Sequence, residues 1–245
     1  MNLPTKQQLI RLLGSDDFFL WEYYGEGIFG KIQGWIFRSR IKALMKLMKK
    51  LQLKPRTILD VGCGPMFISS LLVVNSTSEY IGVDIMHTNR LKKYRKAMKY
   101  IGLKTVEVVR ASAEQLPFRD NVFDLSLCLD LLEHLRKPKE CTAEIYRVAR
   151  NGSLVGISLP LENLFQRLSR IGFIIMKIAG DPIIKKTRSV PIATTPEYHY
   201  IGDVKSYDGM AKMLEGVFSF LHTRFTPIGF HKSINVNAVH ILQKK

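Results

Sequence analysis

The spacing of apolar residues along the chain changes at Thr57. Before it, apolar positions recur at helical intervals, which predicts a short helix capped by Thr5 that stops at Gly14 and a longer helix from about Lys31 to Leu53. After it, helical segments alternate with five short apolar runs, at 57–61, 79–84, 105–109, 123–129 and 153–159. Near-continuous apolar runs of this length are typical of parallel strands that helices cover on both faces.

This alternation predicts an α/β fold with a Rossmann-like, doubly wound sheet of seven strands, mainly parallel with an antiparallel terminal strand. Ser206 can cap a last helix, and the two apolar runs that follow it can form a terminal hairpin at the sheet edge. The predicted division is a helical N-terminal extension or lid over residues 1–56 and an α/β domain over 57–245, with an insert at about 160–205.

The net charge of +16 is concentrated in two stretches. Residues 1–56 hold eleven Lys and Arg against four Asp and Glu, and 86–104 hold seven basic residues and no acid. A field of this sign attracts nucleic acid, anionic lipid headgroups or phosphorylated substrates, although plain surface solubility explains it equally well. The longer helix is predicted to have a basic outer face, which consists of Arg38, Arg40, Lys42, Lys46, Lys49 and Lys50.

The sequence has neither an apolar run of about 18 residues nor a signal-peptide pattern, which predicts a cytoplasmic protein without a transmembrane helix. Its three cysteines, Cys63, Cys128 and Cys141, are far apart and form no Cys-x-x-Cys pair. Reduced thiols and no metal site are therefore expected.

A glycine-containing loop, Asp60-Val61-Gly62-Cys63-Gly64, follows the first strand. Glycines permit a tight turn and the close approach of a ligand, and a following helix N-terminus favours an anion. Asp84 ends the second strand twenty residues after Gly64, where a carboxylate can accept hydrogen bonds from a ribose diol. These features fit NAD or S-adenosylmethionine (SAM). Phe67 stands where the dinucleotide fingerprint requires a third glycine, which favours SAM.

Four more motifs follow in order, namely Ala113-Glu114-Gln115-Leu116-Pro117-Phe118, Phe123-Asp124, Leu132-Glu133-His134 and Ile145-Tyr146-Arg147. With the glycine loop and the strand-end acid, this set resembles the class I SAM-dependent methyltransferases of the family called methyltransferase type 11. The resemblance covers roughly residues 57–160, with a looser similarity over 195–245. It implies a SAM-dependent methyltransferase whose cofactor-binding domain is 57–245.

The resemblance also implies roles for individual residues. The glycine loop holds the methionine end of SAM, the strand-end acid its ribose, the segment before Leu116 its adenine, and the end of the fourth strand faces the methionine moiety and the acceptor. The implied cofactor-binding residues are Asp60, Gly62, Cys63, Gly64, Asp84, Ile85, Ser112, Ala113 and Leu129. Two positions depart from the family pattern, because Ser112 replaces an aspartate and Met66 replaces a glycine.

Catalysis by such an enzyme depends mainly on alignment, because SAM carries an already activated methyl group. Good orientation supplies up to about 7–11 kcal/mol of such a barrier. A general base is needed only if the acceptor must lose a proton. The candidates are His199, His134 and Asp130, and packing explains His134 as well as catalysis does.

The nature of the acceptor stays open at this stage. The aromatic N-terminus and the apolar stripe at 161–180 are predicted to form a substrate lid, although such stripes are more often plain core. A long amphipathic insert with basic flanks favours a lipid-like, quinone-like or other apolar small molecule, with peripheral contact at an anionic membrane. The alternatives are an RNA methyltransferase that uses the basic helices, and a non-catalytic SAM-binding regulator.

Overall fold

The computed structural model describes residues 5–14, 27–64, 78–100, 105–161, 201–227 and 237–245. Its helices are α1 (Lys6–Leu13), α2 (Gly27–Lys50), α3 (Thr88–Tyr100), α4 (Pro138–Val148) and α5 (Tyr207–Val217). Its strands are β1 (Thr57–Val61), β2 (Glu79–Asp84), β3 (Val106–Arg110), β4 (Phe123–Leu129), β5 (Ala149–Pro160), β6 (Phe218–Thr226) and β7 (Asn237–Lys244). A short 3-10 helix, Leu132–His134, follows β4.

The strands form one seven-stranded sheet in the order β3-β2-β1-β4-β5-β7-β6. β1 to β5 pair in parallel, and β7 runs antiparallel to both β5 and β6. The predicted mainly parallel, Rossmann-like sheet is therefore confirmed. The terminal hairpin lies at the sheet edge with β7 as its inner strand, because β7 is buried along nearly its whole length whereas β6 alternates with exposed positions.

The caps of the N-terminal helices follow from local sequence. Thr5 caps α1 through a capping box, as predicted. α2 ends at Lys50, earlier than the predicted Leu53, because Gln52 adopts a left-handed φ of 52°. The N–H of Leu53 then bonds to the carbonyl of Met48 at 3.1 Å, which closes the helix before Pro55 is reached.

Two helical layers cover the two faces of the sheet. The N-terminal layer consists of α1, α2 and α3, which pack through Leu13, Leu44 and Met98 on the face that includes Ile58 of β1. The opposite layer consists of α4 and α5, which pack on the face that includes Leu59. The neighbouring residues Ile58 and Leu59 thus pack against different helical layers, because successive side chains of a strand point to opposite faces of the sheet.

Some predicted features lie outside the described residues. These include the aromatic N-terminus before residue 27, the apolar stripe at 161–180 apart from Leu161, and almost all of the insert at 160–205. The division of the chain at residue 56 stays a prediction. Within the described ranges, no helix combines the length and apolar character that crossing a bilayer requires.

A buried histidine on β7 supports the packing of the terminal hairpin. His240 is 1% exposed and lies between the rings of Tyr207 and Phe220. Its Nδ1 lies 2.8 Å from the hydroxyl of Thr223. Burial lowers the pKa of His240 to about 4, so the ring is neutral in the folded protein at physiological pH.

Acid is expected to destabilise the fold through His240. The unfolded chain takes up the proton first, so stabilisation that is present above pH 6.5 is lost as the pH falls towards about 4. The loss for this one group is about 3 kcal/mol. Urea unfolding at a series of pH values should show a shallower acid response in His240→Gln than in the parent. Parallel pH curves would contradict the prediction.

Candidate active site

The carboxyl ends of β1, β2, β3 and β4 meet at one edge of the sheet. The strand order reverses between β1 and β4, because β2 follows on one side and β5 on the other. Ligands of open α/β sheets bind in the crevice at such a point. All nine predicted cofactor-binding residues lie at or just beyond these strand ends.

A cavity of about 540 Å³ opens at the other edge, beside Pro55, Asp124 and Gly152. None of the predicted site residues lines it. That edge holds the amino ends of the parallel strands. The carboxyl edge, where the predicted residues gather, is therefore the candidate active site.

The loop after β1 is held against the end of β2. The N–H groups of Gly62 and Cys63 both donate to the carbonyl of Val83, at 2.8 and 3.0 Å. Gly62 has a φ of 70°, and a Cβ at this position would lie 2.8 Å from a methyl group of Leu131. Glycine is thus required at position 62 by its backbone conformation and by a close neighbour.

Asp84 joins this loop to the turn after β2. Its Oδ2 accepts a hydrogen bond from the N–H of Gly64 at 2.9 Å, and its Oδ1 accepts one from the N–H of Met86 at 2.9 Å. Each carboxylate oxygen keeps a further lone pair, so the group can also accept from both hydroxyls of a ribose. The adjacent Ile85 exposes 73% of its surface at the same edge.

Asp60 and Cys63 are both buried behind the loop. Asp60 accepts a hydrogen bond from the hydroxyl of Tyr80 on β2, within the face that the N-terminal layer covers. Burial, followed by the negative charges of Asp60 and Asp84, raises the pKa of the Cys63 thiol. Cys63 is therefore a neutral, unreactive thiol that packs beneath the loop.

The segment after β3 carries Ser112 and Ala113, both half-buried. The hydroxyl of Ser112 accepts a hydrogen bond from the N–H of Glu114 at 3.2 Å. That hydroxyl retains one lone pair and its own proton. It can therefore still accept a hydrogen bond from an adenine amino group.

The Leu116-Pro117-Phe118 segment is fixed by α4. Glu144 accepts a hydrogen bond from the N–H of Leu116 at 2.7 Å. Arg147 donates to the carbonyls of Leu116 and Phe118, at 3.0 and 2.7 Å, and pairs with Glu144. The hydrogen bonds from Arg147 keep the pKa of Glu144 below its usual range. Two motifs that are far apart in sequence thus form one hydrogen-bonded unit that holds the preceding Ser112 turn.

The end of β4 carries Asp130, one of the predicted catalytic residues, with a left-handed φ of 54°. The hydroxyl of Ser158 on β5 accepts a hydrogen bond from the N–H of Asp130 at 3.0 Å and donates one to Oδ1 of the same residue at 2.7 Å. Arg40 of α2 forms an ion pair with Oδ2. A residue of the N-terminal layer thus neutralises the carboxylate at the end of β4.

The 3-10 helix after β4 buries an acid that the sequence did not single out as a site residue. Glu133 is 1% exposed, and its Oε2 has no hydrogen-bond partner among the described residues. Burial, followed by the negative charge of Asp130, raises the pKa of this carboxyl. His134 is half-buried, with Nε2 4.0 Å from Oε1 of Glu133.

The assignment of Arg40 to the basic outer face of its helix is wrong, because Arg40 is 9% exposed. At 3.6 residues per turn, it falls half a turn away from Lys31 and Lys49, in the middle of the apolar face. A single arginine among apolar residues was the sequence feature that could have indicated a buried ion pair. Ser158 gave no local signal, and His199 lies outside the described residues. The cofactor-binding and catalytic roles of individual residues stay predictions.

Residues 59–157 match the family model described as a methyltransferase domain. Among curated proteins, 24-methylenesterol C-methyltransferase 2 of Arabidopsis thaliana is 36% identical over 106 residues, which are 42% of this chain and 29% of that protein. An uncharacterized methyltransferase of Mycobacterium avium is 34% identical over 107 residues, or 42% of this chain and 39% of that one. The chain therefore spans well under half the length of these relatives.

Solved structures share the fold. Magnesium protoporphyrin IX methyltransferase of Synechocystis PCC 6803, solved with bound SAH, superposes with a TM-score of 0.60 at 17% identity, over 98% of this chain and 100% of that one. The PH0226 protein of Pyrococcus horikoshii gives a TM-score of 0.60 at 21% identity, over 85% and 91%. The match over residues 59–157 and the shared fold agree with the predicted methyltransferase domain.

Loss of Arg40 is expected to destabilise the fold. Arg40→Met leaves the half-buried Asp130 carboxylate without its cation, which should cost about 2–4 kcal/mol in the free energy of unfolding. Lys42→Met, at an exposed position of the same helix, is the matched control and should change stability by less than about 0.5 kcal/mol. Urea unfolding measures both, and adding Asp130→Asn to Arg40→Met should recover part of the loss. Equal stability of the two single variants would contradict the ion pair's role.

Asp84→Ala is expected to abolish the rise in melting temperature that SAM produces. The substitution removes the acceptor for two ribose hydroxyls, each worth about 1.5–3 kcal/mol to a charged group, so the SAM affinity should fall at least roughly a hundredfold. Glu107→Ala, which removes an exposed carboxylate from the neighbouring strand, is the control. An unchanged SAM response in Asp84→Ala would remove this residue from the cofactor site.

Proposed function

We propose that the chain transfers the methyl group of SAM to an apolar small-molecule acceptor of lipid-like or quinone-like character. The observation that carries the proposal is the charge state of the acceptor end of the site. There Asp130 is neutralised by Arg40, and burial favours the uncharged form of Glu133. A site of this kind presents little net charge to an incoming molecule.

The described residues fit SAM in three places. The turn at Gly62 and Gly64, both with positive φ, leaves backbone without side chains beside the proposed position of the methionine end. Asp84 has lone pairs left for the ribose, and Ser112 retains an acceptor for the adenine amino group. When bound, SAM supplies a sulfonium methyl carbon that accepts the acceptor's electron pair while the C–S bonding pair returns to sulfur.

The chain's own contribution is to align the acceptor and to exclude water. Leu129 and Leu131 are half-buried at the end of β4, and Pro160 and Leu161 are buried at the end of β5. Apolar walls of this kind bind an apolar molecule and desolvate the reacting centre. Where the acceptor must lose a proton, His134, Asp130 and His199 are the proposed recipients.

Similarity gives independent support for this acceptor class. The matched segment is 36% identical to a protein whose name states that it methylates a carbon of a sterol. No base-binding Asn-Pro-Pro-Tyr signature follows β4, where Asp130-Leu131-Leu132-Glu133 stands instead. Acceptors of this class are held in membranes, so the proposal includes peripheral contact with an anionic bilayer.

A labelled-methyl transfer assay tests the proposal. The full chain is incubated with methyl-labelled SAM and, separately, with total lipid, total RNA and polar metabolites of the source cells. Label is expected in the organic-solvent extract of the lipid reaction, at a rate that Asp84→Ala lowers at least roughly a hundredfold. Glu107→Ala should retain the parent rate.

Each other outcome overturns the proposal in a distinct way. Label in RNA would make the chain a nucleic-acid methyltransferase that uses its basic helices. Label only among polar metabolites would contradict the apolar acceptor. SAM binding without transfer to any fraction would leave a SAM-binding regulator.

A further inference from the structure

The two helical layers carry very different charge. The helices of the N-terminal layer, α1, α2 and α3, hold fifteen Lys and Arg and no Asp or Glu. The helices of the opposite layer, α4 and α5, hold three basic and four acidic residues. Two basic stretches that are separate in the sequence are thus brought onto one side of the sheet. The described part of the molecule is strongly polarised across its sheet.

On α2 the charge forms a straight line. Lys31, Lys42, Lys46 and Lys49 are exposed and fall within a narrow arc of the helix surface at 3.6 residues per turn. The line runs about 27 Å along the helix at 1.5 Å per residue. No acidic side chain occurs in α2 to interrupt it. We call this line the lysine stripe.

An exposed tryptophan lies within the lysine stripe. Trp35 is one turn from Lys31 on the same side of α2, and it is 48% exposed. The apolar face of the helix, centred on Leu44 and Leu47, is already packed on the sheet. The indole of Trp35 therefore lies on the side of α2 away from the protein core, which is also the side of the exposed lysines.

Helix α3, on the same face of the sheet, carries further basic residues. Arg90, Lys92 and Lys96 are exposed, and Lys93 ties α3 to α1 through a hydrogen bond to the carbonyl of Leu13. Arg95 and Lys99 pair with Glu107 on β3. The remaining positive charge faces solvent.

We infer that the N-terminal layer is the docking surface of this chain for a membrane that contains anionic lipid. Each Lys or Arg near such a surface contributes attraction that does not depend on exact geometry, and an indole side chain is favoured at the headgroup level. The stripe consists of lysines, which act as point charges, whereas specific nucleic-acid recognition relies on the planar fork of arginine. The exposed lysines and Trp35 together favour a lipid surface over RNA.

The position of the active site agrees with this orientation. Arg40 contacts Asp130 at the carboxyl edge of the sheet, so the part of α2 that precedes Arg40 extends past that edge. This part includes Trp35 and Lys31. A bilayer contacted by the stripe would therefore lie beside the opening of the site. The orientation rests on the proposed lipid-like acceptor, whereas the contact itself rests on charge alone.

Co-sedimentation with unilamellar vesicles tests the inference. The full chain should sediment with phosphatidylcholine vesicles that contain about a third phosphatidylglycerol, and not with pure phosphatidylcholine, and binding should fall steeply as salt is raised. Lys42→Glu combined with Lys46→Glu should lower the vesicle affinity by at least about tenfold. Arg119→Glu combined with Lys212→Glu makes the same change in net charge at exposed positions away from the N-terminal layer, and should lower the affinity by less than about threefold.

Tryptophan emission supplies a second measurement. The chain has two tryptophans, so Trp21→Phe leaves Trp35 as the only one. Its emission should shift to shorter wavelength with the anionic vesicles and stay unchanged with the neutral ones. The SAM-induced rise in melting temperature, measured on every variant, verifies that each has folded.

Three results would overturn the inference. The first is that the parent chain does not sediment with the anionic vesicles. The second is that the control double variant loses as much vesicle affinity as the stripe variant. The third is that the parent chain binds RNA more tightly than vesicles and that the stripe variant loses this RNA binding. Failure of the proposed function looks different. In that case the vesicles bind as expected, but no methyl group reaches the lipid fraction.

Discussion

The carboxylate of Asp84 accepts hydrogen bonds from two backbone N–H groups at once, one in each of two loops. It thereby fixes the loop after β1 against the turn after β2, and the carbonyl of Val83 adds two further bonds to the same loop. A charged acceptor makes these bonds stronger than neutral ones. The side chain that organises the edge also retains the lone pairs that a ribose requires. The structural role of Asp84 explains why the loop needs an acid at the end of the adjacent strand, and the same residue is the one proposed to bind the ribose.

The second organising contact is the ion pair between Arg40 and Asp130, which joins the N-terminal layer to the end of β4. Burial of an arginine is costly unless a carboxylate receives it, and Ser158 also bonds to that carboxylate. The ion pair fixes one face of α2 against the sheet and leaves its lysines towards solvent. One helix thus carries both a buried charge at the carboxyl edge of the sheet and part of the positive charge of the N-terminal layer.

The motifs that carry the family resemblance have a physical explanation in the fold. Glu144 and Arg147 of α4 hold the Leu116–Phe118 segment through backbone hydrogen bonds, and the turn that contains Ser112 precedes that segment. Buried backbone groups need partners, and side chains from a helix supply them where no strand can. A motif on α4 therefore stabilises the carboxyl edge of the sheet through the segment that it holds. The motif follows β4 in the sequence because α4 connects β4 to β5 along the chain.

The sequence by itself determined the strands β1 to β5, the caps of α1 and α5, and the residues gathered at the carboxyl edge, because strand periodicity, caps and glycine turns depend on residues close together in the chain. It also located both basic stretches. Only the tertiary structure decided that β7 is the inner strand of the hairpin, that Arg40 faces Asp130, that Glu133 is buried, and that the two basic stretches lie on the same face of the sheet. Each of these depends on which distant segments become neighbours across the sheet, and no local spacing in the chain encodes that.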